Sequence, residues 1–195
     1  MGLLSSWNKM EDADLVRAMA RGKDRAFREL VQRHQGSLYA YAFKFCSQKE
    51  EAEDTVQETF LRLYAKRETL DPDKNIRAFL FRVCRNLLID HARKMRFESE
   101  SKEPQVDPSL PPDEALSVRE RQHHLIKALE TLPEHQKTAM LLRHTEELSY
   151  SEIAEIMETT VSAVESLLVR GRKRIREILA RTDAAHVPAP RINHL

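Results

Sequence analysis

The chain has 195 residues, with 32 Lys+Arg against 31 Asp+Glu and a formal net charge of +1, a length that suits one ordinary domain or two small ones. Four Gly and eight Pro exclude collagen-like and Gly-rich flexible chains, and neither GxGxxG nor GxxxxGKS/T occurs, which excludes a glycine-loop nucleotide site. No apolar run approaches the roughly 20 residues of a spanning helix, and no basic region precedes the short apolar stretch after Met1, so neither membrane insertion nor a signal peptide is expected.

Residues 1–10 read as an N-terminal extension, with Met10 an alternative start to Met1, because helical periodicity begins only afterwards. Leu15 and Met19 open a first amphipathic segment. Phe27, Leu30, Val31, Leu38, Tyr41, Ala42 and Phe45 define a longer second one. Ala52, Val56, Phe60, Leu63 and Tyr64 define a third, over about 50–65, whose start carries Glu50, Glu51, Glu53, Asp54 and Glu58 with no base. In a fourth, Ile76, Phe79, Leu80, Val83, Cys84, Leu87, Leu88 and His91 fall on one helical stripe. Its arginines are expected on the opposite face, where residues 77–96 have a balance of +5. Cys46 and Cys84 lie inside these apolar patterns and suit a core in a reducing cytoplasm.

Residues 98–113 hold four prolines, many small polar residues and almost no apolar ones, so they read as an acidic, Pro-rich linker. The chain therefore divides into helical domains over 11–97 and 114–181, with a flexible tail over 182–195. In the second domain Ser149-Tyr150-Ser151-Glu152 forms a capping box, flanked by Leu148 and Ile153 as a hydrophobic staple. A short helix from Tyr150 to about Glu158 should bury Ile153, Ala154 and Met157. Thr160 can cap the next helix, whose stripe is Val161, Val164 and Leu168. This is helix-turn-helix spacing. It ends in Arg170, Arg172, Lys173, Arg174, Arg176 and Arg181, a second basic run with a +5 balance over 170–181. Two basic runs separated by an acidic one point to two contacts with a polyanion.

The chain resembles the extracytoplasmic-function (ECF) group of the sigma-70 family. The match is carried by Ala26–Val31 with Arg33-His34, by Ala52–Phe60, by Phe79–Asn86 continuing to Asp90–Arg93, by Leu129–Glu134 and by Leu148–Ala154. The resemblance implies an all-α fold of two small domains, sigma regions 2 and 4. It implies a promoter-specificity subunit that binds core RNA polymerase through the large-subunit clamp and flap, binds promoter DNA, and is held by an anti-sigma factor. Asp54, Gln57, Glu58 and Phe60 would meet the clamp. Lys66, Arg67, Asn75, Arg77, Arg82, Arg85, Asn86, Arg93 and Lys94 would handle the minus-ten element, with the loop 66–75 holding a flipped base and Asn86 nearby. Ser162, Glu165, Ser166, Val169, Arg170, Arg172 and Lys173 would face the minus-thirty-five element. Phe79 stands where the family usually has Trp, and Ala163–Leu167 departs from its usual basic recognition run. The linker would run near the RNA exit path.

No small-molecule substrate, cofactor or metal is expected: His123-His124 lacks a completing ligand set, and no nucleophile–base pair stands out. The rival readings are a stand-alone helix-turn-helix regulator, which would need a pocket of convergent polar groups, and a helical enzyme.

Overall fold

The computed structural model describes residues 7–99 and 124–185, and every regular element among them is helical. Most of the expected linker, His123 and the end of the tail lie outside the described residues. After a single 3-10 turn, Trp7–Lys9, come α1 (Asp12–Ala20), α2 (Asp24–Cys46), α3 (Lys49–Ala65) and α4 (Ile76–Ser99). The second group comprises α5 (residues 124–130), α6 (Glu134–Thr145), α7 (Tyr150–Met157) and α8 (Val161–Ala185).

Local chemistry sets these ends. Gly22, at φ 75°, supplies the left-handed turn that closes α1. Asn75 caps α4, its Oδ1 accepting the Ala78 N–H at 3.1 Å. The capping box forms as expected: the Ser149 hydroxyl accepts from the Glu152 N–H, and the Glu152 carboxylate accepts from the Ser149 N–H at 2.8 Å. Thr160 caps α8 through the Ala163 N–H.

The 3-10 turn is not a loose extension. Arg33 on α2 donates to the carbonyls of Trp7 and Met10 and to Asp12, which pins the turn onto the first domain. His34 meets the other oxygen of Asp12 at 2.7 Å. The His34 hydrogen bond, with the Arg33 guanidinium beside it, holds the Asp12 carboxyl below its usual range.

Within α1–α4, Leu15, Met19, Leu30, Leu38, Leu63, Leu80, Cys84 and Leu88 are fully buried. In the second group Leu142, Ile153, Ile156, Val164 and Leu168 form the centre. There α8 comes so close to α6 that a Cβ on Gly171 would stand 2.9 Å from Met140 Cγ. Val161, expected in the α8 stripe, is 43% exposed; as the first residue of α8, it sits beyond the edge of the contact with α7.

The two groups are packed together, with α6 lying on α2 and α7 on α4. This changes the reading of α4. One stripe was expected to be buried and the arginine face to be open. Leu80, Cys84 and Leu88 are buried as expected, but so are Phe81, Arg85 and Ile89, while Phe79, Val83 and Leu87 are half-buried and His91 is exposed. The second domain reaches this strip at Arg85, which meets His135 of α6, whereas Phe81 is held within the first domain. Phe81 packs edge-on against Tyr41 at 5.6 Å between ring centres, and the Lys137 ammonium of α6 lies 4.9 Å above the Phe45 ring of α2.

Candidate functional site

Three surfaces carry the residues singled out above. The first is the acidic face of α3. Asp54 and Gln57 are exposed, and Glu58 is half-buried and paired with Arg62 at 2.9 Å. Their period follows from the helix: Ala52, Thr55, Val56, Thr59, Phe60 and Leu63 take the inner face, leaving the polar residues between them outside. Phe60 is a core residue, 6% exposed and edge-on to Phe27. Its ring nevertheless forms part of an open groove of about 770 Å³ between α2 and α3, together with Phe27, Val31, Tyr39, Gln57 and Leu61. Leu61, an exposed leucine beside those carboxylates, was not singled out from the sequence, although its position one residue after Phe60 on the polar face was readable there.

The second surface is α4 with the loop before it. A cavity of about 460 Å³ is lined by Lys66, Thr69, Leu70, Asp71, Lys74, Asn75, Ile76, Phe79 and Arg82, and closed on one side by Glu155 of α7. The loop expected to hold a base thus does form a pocket, with Phe79 in its wall and the Arg82 guanidinium 5.9 Å from the Phe79 ring centre. Asn86 does not line it: this exposed residue accepts a hydrogen bond from Arg85. Asn75 shares its side chain with the α4 cap. Arg67 stacks on Tyr64 and pairs with Glu68.

The arginines of α4 meet the second domain. Arg77 pairs with Glu146 at 3.0 Å, and that glutamate side chain is only 6% exposed. Arg82 pairs with Glu158 at 3.2 Å and Arg93 with Glu134 at 3.7 Å. Arg85, itself buried, donates to His135 Nδ1 at 3.1 Å. Lys94 is exposed. Sequence reasoning missed Glu134, His135, Glu146 and Glu158, because each stands tens of residues from its arginine and nothing local marks the pairing.

The seam between the domains is polar at its centre. The Tyr41 and Thr138 hydroxyls and Arg85 Nε are buried without a protein hydrogen-bond partner. Burial pushes the Tyr41 phenol up and the Lys137 ammonium down from their ordinary values. It also pushes the Cys84 thiol up to about 12, which leaves it an unreactive core thiol at neutral pH.

The third surface is the outer face of α8. Ser162, Glu165, Ser166, Val169, Arg170, Arg172 and Lys173 are all exposed there, and Val169 is 62% exposed. Val164 and Leu168 hold the opposite side in the core, and Leu167 packs partly against it, as its apolar character implied. Among the described residues, no group of three or more His, Cys, Asp or Glu is placed to hold a metal ion, and no helix is long and apolar enough to cross a membrane.

Two basic helical faces, one next to a pocket in the first domain and one on a helix-turn-helix in the second, define an all-α, two-domain DNA-binding protein. Residues 30–98 match the family model for sigma-70 region 2, and residues 123–175 match that for sigma-70 region 4. The ECF RNA polymerase sigma factor SigW of Bacillus subtilis is 28% identical, covering 84% of this chain and 94% of the relative. The ECF RNA polymerase sigma-E factor of Haemophilus influenzae is 30% identical, with 86% and 94% covered. Among solved structures, CnrH in complex with the cytosolic domain of CnrY is 26% identical, with 87% of this chain and 97% of that chain covered and a TM-score of 0.69. The sigma factor RpoE of Bartonella quintana, solved with the anti-sigma factor NepR, is 26% identical, with 79% and 96% covered and a TM-score of 0.63. The chain belongs to the ECF group of sigma-70 family RNA polymerase sigma factors. It is a promoter-specificity subunit, of a family of non-enzymatic regulators, and these relationships do not favour the reading as a stand-alone helix-turn-helix regulator.

Proposed function

We propose that the first domain, over residues 11–97, binds core polymerase through α3 and the minus-ten element through α4 and the 66–75 loop, and that the second, over 114–181, reads the minus-thirty-five element with α8. The observation that carries this division is the segregation of charge. Carboxylates beside an apolar groove occupy α3, whereas bases occupy α4 and the exposed face of α8.

Asp54, Gln57 and Glu58, with Leu61 and the Phe60 edge, supply a mixed acidic and apolar surface suited to a basic, amphipathic coiled coil of the polymerase clamp. The 460 Å³ pocket is of a size to take one unstacked base. Phe79 offers an apolar wall, without the indole N–H that Trp would bring, and Lys66, Lys74 and Arg82 offer cations for the flanking phosphates. Arg77, Arg85, Arg93 and Lys94 extend the phosphate track once the second domain is displaced. On α8, Ser162, Glu165, Ser166 and Val169 face the base edges, while Arg170, Arg172 and Lys173 take phosphates. Residues 98–113 serve as the acidic linker and 182–195 as a tail. The protein works in the cytoplasm and has no catalytic activity of its own. An anti-sigma factor holds it inactive, by analogy with RpoE in its complex with NepR.

The test is transcription in vitro. Core polymerase reconstituted with this chain should initiate at a discrete set of sites on fragmented genomic DNA, and initiation should vanish without the chain. Initiation at the same sites by core polymerase alone would refute the proposal.

A further inference from the structure

We infer that the seam between the two helical groups is a binding site for one small monovalent anion of halide size, held by Tyr41 of α2, Arg85 of α4 and Thr138 of α6. These residues come from both domains, so the site exists only where the three helices pack. It stands whichever surface of the protein meets DNA.

The first observation is three orphaned polar atoms in one place. Tyr41 and Thr138 are fully buried, and Arg85 is 8% exposed. The Tyr41 phenol adjoins both the Thr138 hydroxyl and the Arg85 guanidinium. Even so, Tyr41 Oη, Thr138 Oγ1 and Arg85 Nε each lack a protein hydrogen-bond partner. Buried polar groups are satisfied with few exceptions, by protein, water or an ion, so a cluster of three marks a place for a ligand.

The second observation is charge. Arg85 donates from Nη1 to Asn86 and from Nη2 to His135 Nδ1, and neither acceptor carries a negative charge. Among the described residues no carboxylate pairs with it: Glu134, next to His135, goes to Arg93, while Glu146 and Glu158 go to Arg77 and Arg82. The Cys84 thiol beside Tyr41 is pushed up to about 12 and stays neutral. Lys137, next to Thr138 in the chain, is a second buried cation, which Glu130 and Glu51 reach only from beyond ion-pair distance. A buried guanidinium without a counter-charge is costly, and an anion against Nε offsets that cost.

Hydrogen counting selects the kind of ligand. All three orphans can donate, and Arg85 Nε can only donate. A single-atom anion accepts from all three at once. A water has two lone pairs and leaves one of the three hydrogens without an acceptor. A phosphate or sulfate carries four oxygens, too many for three donors in a closed seam. An anion that binds only the packed arrangement stabilises it by mass action. The seam should therefore respond to the identity of the anion, whereas the exposed pairs at its rim, Arg82–Glu158 and Arg93–Glu134, respond to ionic strength alone.

The experiment follows thermal unfolding of the full chain by circular dichroism while sodium chloride replaces sodium gluconate at a constant ionic strength of about 0.3 M, which keeps screening fixed. The wild-type midpoint should rise along a single-site saturation curve, by about 3 °C or more once chloride reaches roughly ten times its dissociation constant. Thr138→Val and Tyr41→Phe each keep the shape and remove one donor, and each should lose most of the rise. A flat wild-type response overturns the site, and so does a rise that survives both substitutions. Diffraction from wild-type crystals grown in sodium bromide tests the position without any variant. An anomalous peak in contact with Arg85 Nε, Tyr41 Oη and Thr138 Oγ1 supports the site. Water in that place, or bromide only on exposed arginines, overturns it. A peak there without the chloride response is binding at crystal concentration only, and overturns the stabilising role.

Discussion

Removing the capping box at Ser149 should weaken the helix-turn-helix before any DNA contact is touched. The helix it starts, α7, has only eight residues, far below the length at which a helix holds itself in water. Its first turn depends on Ser149 Oγ accepting the Glu152 N–H at 3.3 Å, on Glu152 accepting the Ser149 N–H at 2.8 Å, and on the Ser149 hydroxyl donating to the same carboxylate at 2.7 Å. Losing a serine cap costs about 1 kcal/mol, and losing a hydrogen bond to a charged group adds about 1 kcal/mol. Ser149→Ala should thus cost about 1–2 kcal/mol, a fall of roughly 2–8 °C in the melting temperature for a chain of this size. The penalty should depend on pH. Hydrogen bonds from the Ser149 hydroxyl and N–H hold the Glu152 carboxyl below its usual value. A carboxyl depressed in the folded state contributes stability that is full above its unfolded pKa and is lost as pH falls through its folded value. The difference between wild type and Ser149→Ala should therefore shrink as pH drops from about 5 to about 3. Urea melts followed by circular dichroism at pH 7 and pH 3 measure both. Equal penalties at the two pH values would refute the reciprocal cap, and a penalty below about 0.3 kcal/mol at pH 7 would refute its contribution to the fold.

Three further outcomes are expected. Asp54→Lys with Glu58→Lys should lower affinity for core polymerase, read by competition against the wild-type chain, while changing stability by no more than about 1 kcal/mol, since Asp54 is exposed and Glu58 loses only its surface pair with Arg62. On α8, Glu165→Ala should relax preference at one base pair, at a discrimination cost of roughly 1–3 kcal/mol, because a carboxylate can accept from cytosine N4 but repels phosphate. Arg170→Ala and Lys173→Ala should weaken all sequences alike, and selection from a promoter library distinguishes the two patterns. Lys137→Met should stabilise the protein at pH 7, because burial of this α6 side chain against the first domain penalises the ammonium and lowers its pKa. For a cation so shifted the penalty is present below the folded pKa and disappears as pH rises to the unfolded one, so denaturant melts should show the gap between variant and wild type closing toward about pH 10.

The helices and their ends were legible in the chain because they depend on neighbours within about four residues. The stripe through Leu80, Cys84 and Leu88, the cap by Thr160 and the box at Ser149 are all of this kind. So was the exposed face of α8, since Val164 and Leu168 fix which side is inward and leave Ser162, Glu165, Ser166 and Val169 outward. The sequence could also separate acidic α3 from basic α4, because charge is written residue by residue. It could not say that Arg85 would be buried or that Phe81, off the main stripe, would lie against Tyr41. It could not say that Val161 would fall outside the core. Arg85 is covered by α6, from a distant part of the chain, Phe81 meets α2 off the stripe that periodicity marks, and Val161 is left out because α8 begins with it. Glu146 lies 69 residues from Arg77 and Glu158 lies 76 from Arg82, and no helical period relates positions so far apart. Periodicity determined which faces existed; only tertiary packing decided which of them meet, because that choice depends on shape and charge matching across space and not on order along the chain.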